Sequence, residues 1–250
     1  MKAAARRLAE LRLALSFLTR LPVPPDERRP CSVAEAGWAF PVCGAAVGLF
    51  AWLGYAIGAS LALPGLLCAL FAVAAGVLVT GALHEDGLAD FADGMGGGAD
   101  RDRKLAIMRD SAIGSYGVLA LILVVAAKSV AIGELDGPAT ALAALVALGA
   151  ASRFAMLLAL AVLPPARPDG LGRDAGRPGH WRLWVGLAVT LLALAPLGVT
   201  GGAAFAGVLI AAIIPATLAW RQIGGQTGDV LGAIQQIAEL GGWIVFVGYA

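Results

Sequence analysis

Asp86, Asp90 and Asp93 stand at i, i+4 and i+7 within the run His84-Glu85-Asp86-Gly87-Leu88-Ala89-Asp90-Phe91-Ala92-Asp93-Gly94. On a continuing helix this spacing lines three carboxylates along one face. Like charges so close repel, so a divalent cation is the economical partner. Magnesium takes oxygen ligands and is commonly held by one or two carboxylates together with substrate phosphates. The chemistry implied is therefore metal-assisted work on a phosphorylated substrate, with a solvated acidic loop as the alternative. Gly87, Gly94, Gly96, Gly97 and Gly98 bracket the acids. They are read as allowing a large ligand close to the backbone, or as a flexible turn.

Two further segments carry complementary groups. Arg101, Arg103, Lys104 and Arg109 precede Asp110-Ser111-Ala112-Ile113-Gly114-Ser115-Tyr116-Gly117. Acidic metal ligands followed by basic residues fit a substrate whose phosphates bridge both, although Arg101 and Arg103 equally suit contact with lipid headgroups. Far along the chain lies Gly224-Gly225-Gln226-Thr227-Gly228-Asp229-Val230-Leu231-Gly232-Ala233, followed by Gln235 and Glu239. A glycine turn, a hydroxyl and a carboxylate opening a helix suit a phosphate or metal site, or a helix N-cap at Thr227 or Asp229. The stretch 164–182, with Arg167, Asp169, Gly170, Leu171, Gly172, Arg173, Arg177 and His180, is read as a substrate-covering loop or as ordinary positive-inside anchoring.

These groups must be positioned by membrane helices. The chain has 250 residues, 59% hydrophobic and only 14% charged, with a mean hydropathy of +0.82. Soluble domains carry about 25% charged residues, so the composition is that of an integral membrane protein. A net charge of +1 gives no basic surface for nucleic acid. Cys31, Cys43 and Cys68 have neither metal-site spacing nor a disulfide pattern. Residues 1–20 lack the features of a cleaved signal. Leu8, Leu11, Leu15 and Leu18 at helical spacing predict an amphipathic helix on the membrane surface.

Apolar runs long enough to span cover 38–61, 65–83, 113–133, 139–163, 183–199 and 203–220. The stretch 231–249, interrupted by Gln235, Gln236 and Glu239, is read as a span or as an interfacial helix followed by a shorter piece. The expected fold is a single all-α domain over 1–250, a polytopic integral membrane bundle of about six or seven transmembrane helices. Lys and Arg crowd the stretches 1–20, 84–112, 164–182 and 221–230 and are absent from 62–64, 134–138 and 200–202. The positive-inside rule then puts the N-terminus and the candidate site at the cytoplasmic face. Lys128 and Arg153 fall within spans, where a charge costs roughly 2.5–3.5 kcal/mol on insertion scales. Snorkelling is expected for Lys128 and a buried ion pair for Arg153.

The chain resembles the cobalamin synthase (adenosylcobinamide-GDP ribazoletransferase) family. The resemblance rests on Thr19-Arg20-Leu21-Pro22-Val23-Pro24, on 84–90 with Asp93-Gly94, on 105–117, and on Thr227-Gly228-Asp229 with Gly232-Ala233 and Glu239. These blocks stand in family order across nearly the whole chain. One departure is Ala112, where the family often carries a basic residue. The resemblance implies attack by a ribose hydroxyl of alpha-ribazole, or of alpha-ribazole 5'-phosphate, on the cobinamide-bearing phosphorus of adenosylcobinamide-GDP. GMP leaves and cobalamin, or its 5'-phosphate, is formed.

The resemblance further implies Mg2+ at Asp86, Asp90 and Asp93, and a catalytic set of His84, Asp86, Asp90, Asp229 and Arg109. His84 is a candidate general base or a group orienting a metal ligand; Asp229 is a second ligand or the proton acceptor. Arg20, Lys104, Asp110, Ser111, Gly114, Tyr116, Arg153, Gly225 and Thr227 are expected on the substrate. The implied setting is a bacterial inner membrane, in a lipid bilayer, with site loops facing the cytoplasm. Partners could include a second copy or other cobalamin-assembly proteins. Prenyl- or CDP-alcohol-type diphosphate transferases are the alternative enzymes. They fit less well, because a second Asp-rich cluster and the CDP-alcohol Asp spacing are both missing. A transporter would be expected to distribute polar residues over several spans.

Overall fold

A computed structural model describes residues 2–169 and 175–249. Its helices are α1 (Lys2–Leu18), α2 (Val33–Ala36), α3 (Phe40–Ser60), α4 (Gly65–Thr80), α5 (Leu83–Gly97) and α6 (Arg101–Ile107). They continue with α7 (Ser115–Gly133), α8 (Pro138–Val162), α9 (His180–Leu194), α10 (Gly198–Ile223) and α11 (Gly228–Tyr249). Among the described residues the sole β pairing is an isolated parallel bridge between Pro165 and Gln226. The expected all-α, polytopic architecture is what the chain adopts.

Proline and glycine set the helix limits as their geometry dictates. Pro41 and Pro138 sit in first turns, where a missing N–H loses no intrahelical bond. Gly81 and Gly224 end α4 and α10 in the left-handed conformation, which a residue without Cβ adopts freely.

Five helical runs among the described residues are long and apolar enough to cross a bilayer, and the bent pair α4–α5 makes a sixth. One run, His180–Ile223, holds 44 residues, about 66 Å if straight. Both of its ends nevertheless return to the loop that follows α8. Arg182 Nε donates to Glu35 O at 2.9 Å, and Ala34 N donates to Ala175 O at 2.8 Å. Arg101 joins the other end, donating to Ile223 O at 3.1 Å and Ala166 O at 2.5 Å. The run therefore reverses at Gly198, where φ is +56°, and α9 and α10 form a hairpin of two passes.

Small residues bring the helices together, since lipid supplies no hydrophobic force between them. A Cβ on Gly44 or Gly48 of α3 would overlap the backbone of α8 at Gly149 and Leu145, and one on Gly207 of α10 would crowd Gly241 O of α11. Large apolar side chains such as Leu78, Leu192 and Val199 stay on the outside, as lipid contact requires.

Three expectations change. The span expected at 65–83 stops at Thr80, and α5 leaves it at 90°. With its four acidic residues, α5 turns away from the apolar direction of α4. The corner is Gly81 (φ +65°) and Ala82 (φ +60°); a left-handed alanine costs about 1–2 kcal/mol. The stretch 231–249 is one uninterrupted helix, because Gln235, Gln236 and Glu239 face inward. There Lys128, 7% exposed, does not snorkel: its Nζ lies 3.1 Å from Glu239 Oε1 and 3.2 Å from Gln236 Oε1. Arg153 pairs with the other Glu239 oxygen at 3.2 Å and donates to Ser152 Oγ, the buried ion pair expected for it. Gln236 Nε2 extends the network to Glu85 Oε1 at 2.8 Å.

Candidate active site where α5 crosses α11

The site begins at a glycine contact. A Cβ on Gly87 would stand 3.2 Å from the Cα atoms of both Asp229 and Gly232, and one on Gly232 would stand 3.2 Å from Gly87 Cα. The two helices can cross this closely only because both residues lack side chains. The crossing brings Asp86 and Asp90 of α5 to the first turn of α11 and Asp229. Asp90 is pushed up from 3.8 to about 7 by burial and by the neighbouring charges of Asp86, Asp229 and Asp93, with Arg167 opposing. A carboxylate held in this way wants a cation.

Thr227 caps α11. Its Oγ1 accepts Val230 N at 3.2 Å and donates to Asp229 Oδ2 at 3.1 Å, fixing that carboxylate. Gly225 is required by the chain pairing beside it: its Cβ would overlap Pro164 O, and Gln226 N donates to Pro164 O at 2.8 Å. This bridge fastens the loop after α8 to the start of α11 and delivers Arg167. Arg167 Nη2 lies 3.8 Å from Asp229 Oδ2 and donates to Leu105 O at 2.9 Å. Arg109 pairs with Asp169 at 2.5 Å. Arg101, Arg109 and Arg167 share one cavity of about 460 Å³.

Asp93 is placed differently from its two companions. Its side chain is buried, Oδ2 accepts Gly114 N at 2.7 Å and Oδ1 accepts Gly117 N at 2.9 Å. It thus anchors the N-terminus of α7, where negative charge is stabilised. Gly114 and Gly117 make room, since a Cβ on either would overlap the carboxylate. The glycines after it serve packing. A Cβ on Gly94 would overlap Met108, on Gly96 the ring of Tyr116, and on Gly98 Lys104. Lys104 is buried and donates to Gly98 O and Met95 O, satisfying carbonyls at the end of α5. Asp110 accepts Ala112 N at 3.1 Å in the exposed turn with Ser111.

His84 is 2% exposed, neither ring nitrogen has a hydrogen-bond partner among the described residues, and it does not line the Arg101–Arg167 cavity. Arg153 lies within the buried network, and Arg20 lies against Gly81 at the α4–α5 corner. Among the described residues no three His, Cys, Asp or Glu side chains form a metal cage by themselves. Gly170, Leu171, Gly172 and Arg173 of the expected covering loop lie outside the described residues. Arg167 was missing from the expected site set. Its loop reads as a substrate cover or as membrane anchoring, and nothing in the spacing joins residue 167 to residue 229.

Carboxylates of α5 and α11 gathered beside Arg167 on a polytopic bundle suit a membrane enzyme acting on phosphorylated substrates. The family profile of cobalamin-5-phosphate synthase matches residues 10–247, and the chain belongs to that family. It is 47% identical to the adenosylcobinamide-GDP ribazoletransferase of Bradyrhizobium diazoefficiens, over 93% of this chain and 91% of the relative. It is 45% identical to the protein of that name from Azorhizobium caulinodans, over 94% of each chain. The one from Mesorhizobium japonicum is 44% identical, over 93% of this chain and 90% of its own. No solved structure matches significantly.

Proposed function

We propose that this chain transfers the cobinamide phosphoryl group of adenosylcobinamide-GDP to alpha-ribazole or alpha-ribazole 5'-phosphate. The products are GMP and adenosylcobalamin or its 5'-phosphate. The carrying observation is the convergence of Asp86, Asp90 and Asp229 with Arg167 at the α5–α11 crossing, in a chain of this family. Lys and Arg bias supports a site on the cytoplasmic face of a bacterial inner membrane.

Magnesium fits the donor set. Burial and neighbouring carboxylates raise Asp90 to about 7, and magnesium takes its remaining ligands from water and substrate phosphate. Asp86 and Asp90 would hold it, with Asp93 committed to α7. The ion supplies neutralisation of diphosphate charge. Arg167 and Arg109 bind the guanosine phosphate as it leaves, and Arg101, whose nitrogens already meet Ile223 O, Ala166 O and Asp102, adds positive charge to the same wall. Asp229, fixed by Thr227 and Arg167, receives the ribose hydroxyl proton as the new O–P bond forms and the P–O bond to GMP breaks. His84, sealed from the cavity, is a less suitable base, because a base must reach the proton it removes.

Purified protein in detergent with magnesium, adenosylcobinamide-GDP and alpha-ribazole should release GMP and form the cobamide in equal amounts. Folded protein that releases no GMP from either acceptor overturns the assignment.

A further inference from the structure

The α4–α5 corner holds a second cavity, of about 510 Å³, on whose wall stand Ser16, Thr19, Arg20, Gly81 and Asp86. Arg20 is built into this corner. Its backbone N donates to Val79 O at 2.7 Å, and its side chain lies across Gly81, where a Cβ would overlap Nε. The hydroxyls of Ser16 and Thr19 already donate to Leu13 O and Leu15 O. The Arg20 guanidinium has no hydrogen bond or ion pair with any described residue, so the fold fixes its base and leaves its donors free.

The acids thus have a cavity at each end. Asp86 stands on the wall of the Arg20 cavity. Arg167 stands on the wall of the Arg101–Arg109 cavity, and Asp229, which feels the charges of both Arg167 and Asp86, serves the stretch between the two. In phosphoryl transfer the attacking and leaving oxygens lie roughly in line on opposite sides of phosphorus. A nucleotide leaving group takes the three-arginine cavity, and the acceptor must then enter from the other end. At about 510 Å³ the corner is within the size of small-molecule sites, roughly 300–1,000 Å³.

We propose that the α4–α5 corner cavity is the acceptor subsite, and that Arg20 reads a phosphomonoester on the acceptor nucleoside. The inference rests on the transferase reading above. A guanidinium with free donors matches phosphate oxygens in a bidentate fork; a lipid headgroup phosphate offers the same chemistry, and the experiment separates the two.

The readout is the preference ratio, kcat/KM with alpha-ribazole 5'-phosphate over kcat/KM with alpha-ribazole. It is measured in detergent, in phosphatidylcholine vesicles, and in the same vesicles with phosphatidylglycerol. For Arg20→Ala we expect the ratio to fall about tenfold or more, as for loss of a charged hydrogen bond. The loss should sit in the KM of the phosphorylated acceptor rather than in kcat. Arg20→Gln, closer in length, should lower the ratio with less disturbance of the corner, and Arg20→Lys should recover part of it. An unchanged ratio in an active Arg20→Ala or Arg20→Gln enzyme overturns the inference and leaves the transferase reading standing. So does a change confined to vesicles with phosphatidylglycerol, which assigns Arg20 to a headgroup. Wild-type protein turning over neither acceptor overturns the transferase reading and this inference with it.

Discussion

Asp93→Asn separates two roles for one carboxylate: a magnesium ligand, as the i, i+7 spacing implies, and the anchor of α7. Both oxygens already accept backbone N–H groups, at 2.7 and 2.9 Å, and the residue is 7% exposed. Each hydrogen bond to a charged group contributes about 1.5–3 kcal/mol, and negative charge at a helix N-terminus about 0.3–1 kcal/mol more. Asparagine keeps one acceptor oxygen and turns a donor toward the other amide, so one bond becomes neutral and one is lost. The expected destabilisation is about 3 kcal/mol. At about 2–4 °C per kcal/mol for a chain of this size, the melting temperature in detergent falls by roughly 6–12 °C. The magnesium concentration giving half-maximal GMP release should stay within about threefold of wild type, against the 10–100-fold losses seen when a metal's ligand environment is damaged. A melting temperature within about 2 °C of wild type, together with about a tenfold rise in the magnesium requirement, refutes the anchor.

Other outcomes follow from the same geometry. Asp90 binds its proton more tightly folded than unfolded, so in metal-free protein its contribution to stability falls as pH rises from about 4 through about 7. Magnesium must displace that proton below neutrality. The magnesium-induced rise in melting temperature should therefore need more metal at pH 6 than at pH 8, and Asp90→Asn should abolish the difference. Arg167→Lys keeps the charge but loses the planar guanidinium whose Nη2 meets both Leu105 O and Asp229; turnover should fall by about 10²-fold or more, on the scale of losing one transition-state donor. Glu239→Gln leaves Lys128 and Arg153 facing a neutral group and should destabilise by about 3–5 kcal/mol in thermal melts. Adding Lys128→Met should return part of that loss by restoring charge balance. Thr227→Ala removes the α11 cap and should cost about 1 kcal/mol, with a further loss of turnover as Asp229 loses its fixed orientation.

The spans were legible because long apolar runs admit few other readings, and the reversal at Gly198 lies close to the gap between the expected spans 183–199 and 203–220. Asp86, Asp90 and Asp229 were legible as reactive groups from residue type and setting, although nothing in their spacing shows that Gly87 and Gly232 bring them together. Asp93 shows the limit of periodicity: i+7 fixes the face of a helix, not the second helix that begins on that face. Lys104 illustrates the same point, since a buried lysine folded back onto its own turn has the same sequence as one reaching for phosphate. Lys128 reads as free to snorkel until Glu239, 111 positions later in the chain, is known to face it. The right-angle corner was hidden because Gly81 alone announces a helix end, while Ala82 adopts its left-handed conformation without any compositional signal.

The buried network also constrains biogenesis. Lys128 travels into the membrane on α7 and Arg153 on α8, each an intramembrane cation worth roughly 2.5–3.5 kcal/mol of insertion penalty, while the carboxylate that meets both, Glu239, emerges on the last described helix. The growing chain must hold two uncompensated charges beside the translocation machinery until α11 arrives. Closure of the bundle around these charges and completion of the proposed site, which needs Asp229 from that same helix, therefore both wait for α11.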